Sequence, residues 1–208
     1  MLKVNNMPKI NSIEKMTDNK YLNMYRYKVE SEKGHKGDYF VASRAEKIED
    51  LKINTPEKKT DAVIIYALYG EKHDRVVLEK QFRYPVGGYV YEFPAGLIDK
   101  GETYKETAIR EMHEETGLDL EIVDCDPMFE NTRYTSVGMS DESVSIVYGY
   151  AKGKTSEEFL EAGEDIKVIL ADREEVKRIL KDEEVSMNCA YHLMHFLVDE
   201  DPFSFLKR

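Results

Sequence analysis

Cysteine is scarce in this chain: only Cys125 and Cys189 occur, too far apart for a zinc or redox motif, so two reduced and packed thiols are expected. Long apolar runs are missing as well. Nothing approaches the ~18 residues of a membrane span, and Met1-Leu2-Lys3-Val4-Asn5-Asn6 leads into no signal-peptide core. A cytoplasmic protein with no membrane partner is expected. Clustered basic charge is the third absence: 30 Lys and Arg stand against 41 Asp and Glu, a net charge of −11, which argues against a nucleic-acid backbone as partner. There is no internal repeat and no low-complexity block.

What is present describes a globular chain. With 208 residues, 41% hydrophobic and 34% charged, it has room for one medium domain and an appendage. Residues 1 to 18 are polar and weakly patterned and read as an arm. Tyr21 to Val29 reads as a strand, Gly34 and Gly37 bracket a turn, and Asp38 to Ala42 reads as the returning strand. A two-stranded hairpin is marginal alone, so this one must pack on its own domain or on a second copy. Arg44 to Lys59, charged and holding Pro56, reads as a connector. The division expected is 1–58 for the N-terminal strand region and 59–208 for the main domain.

Strands are then expected at Asp61 to Tyr69, Arg75 to Phe82, Tyr89 to Phe93, Leu120 to Cys125, Met128 to Arg133, Ser143 to Ala151 and Ile166 to Leu170. Two helices close the chain, Asp172 to Lys181 and Ser186 to Val198, each beginning at a capping residue. The sum is α+β.

The stretch from Gly96 to Leu118 concentrates acidic residues. Glu102 and Thr103 suit a helix start and Gly117 a left-handed C-terminal cap, giving a helix from about Thr103 to Thr116. At about 100° per residue, Glu111, Glu114 and Glu115 share a face, where like charges repel by several tenths of a kcal/mol per pair. A Glu-rich helix is most often a solvated face. The other reading is a cation, and oxygen-only ligands suit Mg²⁺ or Mn²⁺. Ala108, Ile109 and Met112 supply an apolar stripe, and Arg110 can pair with Glu106 or Glu114.

Gly96, Glu102, Arg110-Glu111-Met112, Glu114-Glu115 and Gly117-Leu118 together resemble the Nudix box, the signature of the Nudix hydrolases, at every defined position. The resemblance implies the α/β/α Nudix sandwich with a mixed sheet, here with a small N-terminal β hairpin region. It implies hydrolysis of a nucleoside diphosphate linked to another group, with metal held by Glu111, Glu115 and the Ala95 carbonyl. Gln81-Phe82-Arg83-Tyr84-Pro85 with Glu92-Phe93-Pro94-Ala95-Gly96 is similar to the branch that cleaves ADP-ribose or related ADP-sugars to AMP and a sugar phosphate. In that branch the N-terminal strands join a homodimer and aromatic side chains stack on adenine; Tyr21 and Tyr39 fall at such places, with Arg44 beside them. Arg83 is expected to fork onto phosphate. Gly138 belongs to a substrate loop in which Val137 replaces the branch's usual proline, which keeps GDP-mannose and oxidised nucleoside diphosphates open as substrates. Arg110 and Glu114 are expected to support catalysis. The general base is expected from a loop beyond the box, Glu142 first and Glu164 second. A non-catalytic ADP-ribose-sensing module is the competing class.

Overall fold

The computed structural model describes residues 7–57, 59–160 and 163–207. Within it the chain forms two units, Met1–Asp61 with Thr132–Val144, and Ala62–Asn131 with Ser145–Arg208.

The first unit is built on an antiparallel sheet of three strands in the order β1 (Lys9–Lys15), β2 (Asn23–Glu30), β3 (Lys36–Ser43). The expected hairpin is β2 and β3. What reads as an arm contributes β1, whose Lys9–Lys15 register runs along β2 with an irregularity between Ile10 and Ser12. Its residues are mostly exposed, so neither face carries the apolar alternation that marks a half-buried strand. Tyr25 and Tyr27 alternate inward on β2 and pack with Val41 and Leu51 into a small core. Leu51 follows a 3-10 turn, Ile48–Asp50, and is fully buried, so the segment expected as a connector (in which Lys58 lies outside the described residues) also supplies core. Tyr21 precedes β2 rather than lying on it.

The second unit carries most of a mixed eight-stranded sheet. Its central order is β11 (Ile166–Ala171), β5 (Arg75–Arg83), β4 (Ala62–Tyr69), β10 (Ser143–Lys152), β8 (Asp119–Ile122), with β6 (Gly88–Glu92) on β5, β7 (Ala95–Leu97) on β4 and β9 (Arg133–Tyr134) on β10. Strand β4 shows how the layers form. Val63, Ile65 and Ala67 face one side and join Val77, Ala108, Met112 and Val147 beneath helix α1 (Tyr104–Thr116). Tyr66, on the opposite face by the two-residue period, meets Phe93, His192 and Phe203 at ring distances of 5.1, 5.1 and 5.3 Å. Helix α4 (Met187–Val198) covers that face through buried Cys189, Leu193 and Phe196 and packs with α3 (Arg173–Asp182). No helix among the described residues is long and apolar enough to cross a membrane.

Two expectations fail locally in this unit. The strand expected over Met128 to Arg133 survives only at Arg133, where β9 begins: Asp126 accepts the Met128 amide at 2.8 Å and Pro127 opens a short helix α2 (Pro127–Glu130), a pairing of cap and proline that favours a helical turn. Ile109 is not core but 48% exposed, since the buried face of α1 runs through Thr107, Ala108, Met112, Glu115 and Thr116.

Candidate functional site

Helix α1 begins as its sequence requires. The Thr103 hydroxyl accepts the Glu106 amide while the Glu106 carboxylate accepts the Thr103 amide, a reciprocal cap. That engagement takes Glu106 out of the Arg110 pairing, and of the two partners expected for Arg110 it is Glu114 that the structure supplies. Gly117 ends the helix at φ 72°, where a side chain would be strained.

Arg110 is the hub of the exposed flank. Its Nε and Nη2 fork onto the two oxygens of Glu102 at 3.0 and 2.9 Å, its Nη1 donates to Glu111 at 2.8 Å and to Glu114 at 2.9 Å, and Nη2 reaches the Leu97 carbonyl at 3.3 Å. This fork holds the Glu102 carboxyl down to about 2, and Thr107 adds a second hydrogen bond. Glu114 is thereby assigned to holding Arg110.

The three helix acids are graded in depth rather than equivalent. The Glu114 side chain is 42% exposed and that of Glu111 13%, and Glu115 is buried at 4%. Burial pushes the Glu111 carboxyl up, opposed by Arg110, and pushes Glu115 well up, with the charges of Glu79 and Glu111 acting in the same direction. Glu115 accepts the Ala95 amide at 3.0 Å. Gly96 is needed next to it because a Cβ there would lie 1.9 Å from the Glu111 carboxyl.

Glu79 was not legible as a site residue. It sits in β5 after Val76, Val77 and Leu78, is 2% exposed, and its carboxyl lies against that of Glu115; burial raises it to about 8. One signal existed: an acid interrupts an apolar strand where a fourth aliphatic belongs. Glu92 lies directly across the β5–β6 ladder from Glu79 and pairs with Arg83. Arg83, Glu92 and Glu164 all act electrostatically on Glu79, and Glu164 also raises Glu111.

The fit of a divalent cation can be judged from these groups. Glu79 Oε1 is buried with no hydrogen-bond partner, and an unpaired buried carboxylate oxygen is costly. A hard cation would satisfy it. No three acid, imidazole or thiol groups among the described residues are already gathered about one point, because Glu111 is turned to Arg110 and Glu115 to Ala95. Side-chain reorientation would be needed to bring them to a common ion.

The first unit holds the other residues picked out by sequence. Tyr27 and Tyr39 stand opposite each other in the β2–β3 register, and the Tyr39 hydroxyl donates to the Gly138 carbonyl at 2.8 Å. With Val41, Lys52, Ile53, Tyr134, Val137 and Met139 they line a mainly apolar pocket of about 310 Å³ that Ser140 and Asp141 complete. Tyr27, Tyr134, Met139 and Lys52 were missed, since only folding brings 132–144 beside β3, where the Ala42 amide donates to the Met139 carbonyl at 2.8 Å. Tyr21 does not line this pocket; it is 64% exposed under the Lys20 ammonium. Arg44 is committed to Glu142 through Nε at 3.0 Å and Nη2 at 2.8 Å, and the other Glu142 oxygen accepts from Thr135 at 3.1 Å.

A capped acidic helix on one side of a mixed sheet, with further helices on the other, defines an α/β/α domain whose chemistry gathers on that helix. A solved structure titled as an ADP compounds hydrolase shares the fold, with a TM-score of 0.60 at 18% identity over 86% of each chain. The NUDIX domain family matches residues 58–191, and the chain belongs to the Nudix hydrolase family. It is similar to an ADP-sugar pyrophosphatase of Mus musculus (43% identical, 38% of each chain) and to an ADP-ribose pyrophosphatase of Saccharomyces cerevisiae (41% identical, 36% of this chain). An ADP-ribose pyrophosphatase of Bacillus subtilis is 30% identical over 69% of this chain and 75% of its own. The matched region spans only 38% and 33% of the mouse and yeast proteins.

Proposed function

We propose that the chain hydrolyses the diphosphate bond of ADP-ribose or a related ADP-sugar, giving AMP and a sugar phosphate. The observation that carries this is the set of carboxylates Glu79, Glu111 and Glu115, two of them buried and Glu111 half-buried, in which one Glu79 oxygen has no hydrogen-bond partner. Under this reading Glu111 and Glu115, with the Ala95 carbonyl, hold Mg²⁺ or Mn²⁺. When bound, such an ion neutralises the diphosphate and lowers the pKa of water. Arg83 forks onto phosphate after exchanging Glu92 for it, and Arg110 keeps Glu111 oriented.

The base is Glu164 in this proposal rather than Glu142. Glu164 acts electrostatically on Glu79 and Glu111, whereas a proton taken up by Glu142 would disrupt its pairing with Arg44 and its bond from Thr135. The apolar pocket of the first unit, with Tyr39 and Tyr27, suits a nucleoside base, whose flat face gains roughly 1 to 3 kcal/mol against an aromatic ring. The exposed edge strand β1 is suited to pairing with a second copy, in line with a homodimer.

A product assay with Mg²⁺ on ADP-ribose, GDP-mannose, NADH and oxidised nucleotides tests the reading. AMP and ribose 5-phosphate in equal amounts from ADP-ribose are expected. Preference for GDP-mannose or an oxidised nucleotide would move the substrate and keep the chemistry; no turnover of any of them would remove the hydrolase assignment.

A further inference from the structure

We propose that Glu79 is a further acidic ligand of the divalent cation, supplying its carboxylate to the ion held by Glu111 and Glu115. The inference rests on the metal centre proposed above and adds a residue from the sheet to ligands drawn from the helix and its preceding loop.

Position is the first reason. Val77 packs beneath α1 with Ala108 and Met112, and the two-residue period of a strand puts Glu79 on the same side. There its carboxyl meets Glu115. The second reason is that a structural role leaves Glu79 unexplained. Its neighbours Val76, Val77 and Leu78 are fully buried, and an aliphatic side chain would continue them without desolvating a polar group. Instead the chain places an acid opposite Glu92 across the ladder, where its ionised form would face a like charge. Arg83 serves Glu92. Glu79 Oε1 has no hydrogen-bond partner although the residue is 2% exposed. A cation beside Glu115 answers both the orphaned oxygen and the crowding of acids; a hydrogen bond between Glu79 and Glu115 engages only one Glu79 oxygen.

The test uses the full chain freed of metal, with Mn²⁺ as the probe and its binding followed by loss of the free-ion paramagnetic resonance signal. Glu79→Gln keeps the shape and Glu79→Leu supplies the aliphatic alternative; Glu111→Gln serves as the reference, and each protein is also melted without metal. Both Glu79 variants are expected to weaken Mn²⁺ binding about tenfold or more, the size associated with loss of a supporting metal-site group, while the metal-free Leu variant melts no lower than the parent. Unchanged Mn²⁺ affinity in both Glu79 variants, with affinity lost in Glu111→Gln, overturns the role of Glu79 and leaves the Glu111–Glu115 centre standing. Lower metal-free melting in both variants with Mn²⁺ affinity retained makes Glu79 structural and likewise overturns it. If the parent binds no Mn²⁺, the centre itself falls and Glu79's role with it.

Discussion

The Ala95 amide donates to Glu115 Oε2 at 3.0 Å, tying strand β7 to the last turn of helix α1 through a side chain that is itself 4% exposed. A glutamine can accept the same bond through its amide oxygen, but it carries no charge. Glu115→Gln is therefore expected to keep the fold and to melt no lower than the parent without metal, since burial opposes ionisation of the native carboxyl. Turnover should fall by at least about a hundredfold, the scale of losing an electrostatic stabiliser in a water-poor site. Paired melting curves and initial rates check this; full activity would show that the buried acid is not needed for hydrolysis.

Glu102 sets an acid limit on stability. Its folded pKa of about 2 lies below the ordinary value of 4.5 because Arg110, and then Thr107, bind the carboxylate. The folded state thus binds fewer protons than the unfolded one between those values. The stabilisation is complete above pH 4.5 and is lost as pH falls toward 2. Melting temperature measured across this interval should decline less steeply in Glu102→Gln than in the parent, with the curves converging at the acid end.

Legibility followed the range of the interactions. Helix α1 could be read because its cap, apolar phase and C-terminal glycine are local, and Thr103 and Gly117 stand where they were expected. Strands β4 and β5 announced themselves by buried aliphatics. Strand β1 did not, since an exposed edge strand carries little hydrophobic pattern, and α2 was hidden because a cap and a proline outweighed the apolar content of Met128 and Phe129. The box glutamates were visible as a pattern, but their grading in depth depends on what the sheet places beneath each one. Glu79 and the pocket residues Tyr27, Tyr134 and Met139 needed the tertiary fold, as each acquires its meaning from a neighbour distant in sequence.

Single replacements should separate the two loop acids. Glu164→Gln is expected to reduce kcat by about 10² to 10⁴, the usual contribution of a positioned general base, with a smaller change in KM. Glu142→Gln gives up the charge that pairs with Arg44 and should alter KM more than kcat. The opposite ordering, read from steady-state rates at saturating Mg²⁺, would return the base to Glu142.

Tyr39 offers a ring to the pocket and a hydroxyl to the Gly138 carbonyl at 2.8 Å. Tyr39→Phe removes only the hydroxyl and should leave KM for ADP-ribose within about threefold, as one exposed neutral hydrogen bond contributes about 1 kcal/mol or less. Tyr39→Ala also removes the stacking face and should raise KM by about tenfold or more with little change in kcat, in keeping with roughly 1 to 3 kcal/mol per stacked base. Equal KM values for both variants would take Tyr39 out of base binding.

Two glycines around α1 should fail in different ways when given a methyl group. At Gly96 the new Cβ would meet the Glu111 carboxyl at 1.9 Å, and that carboxyl ends a flexible side chain able to swing aside. Gly96→Ala should therefore melt within a few degrees of the parent yet lose most of its activity, because Glu111 can no longer lie where the loop admits it. At Gly117 the obstacle is backbone: φ is 72°, and the added Cβ would stand 2.7 Å from the Ser156 amide nitrogen. The left-handed conformation alone costs a non-glycine residue roughly 1 to 2 kcal/mol, and the clash adds to that, so Gly117→Ala should lower Tm by several degrees or more. Because Glu115 lies in the turn that Gly117 closes, activity per folded molecule is expected to fall as well, but by less than in Gly96→Ala, where the Glu111 carboxyl itself is displaced. Melting and active-fraction measurements on both variants check the contrast; if Gly96→Ala remains fully active, Glu111 does not act from the position that Gly96 leaves open.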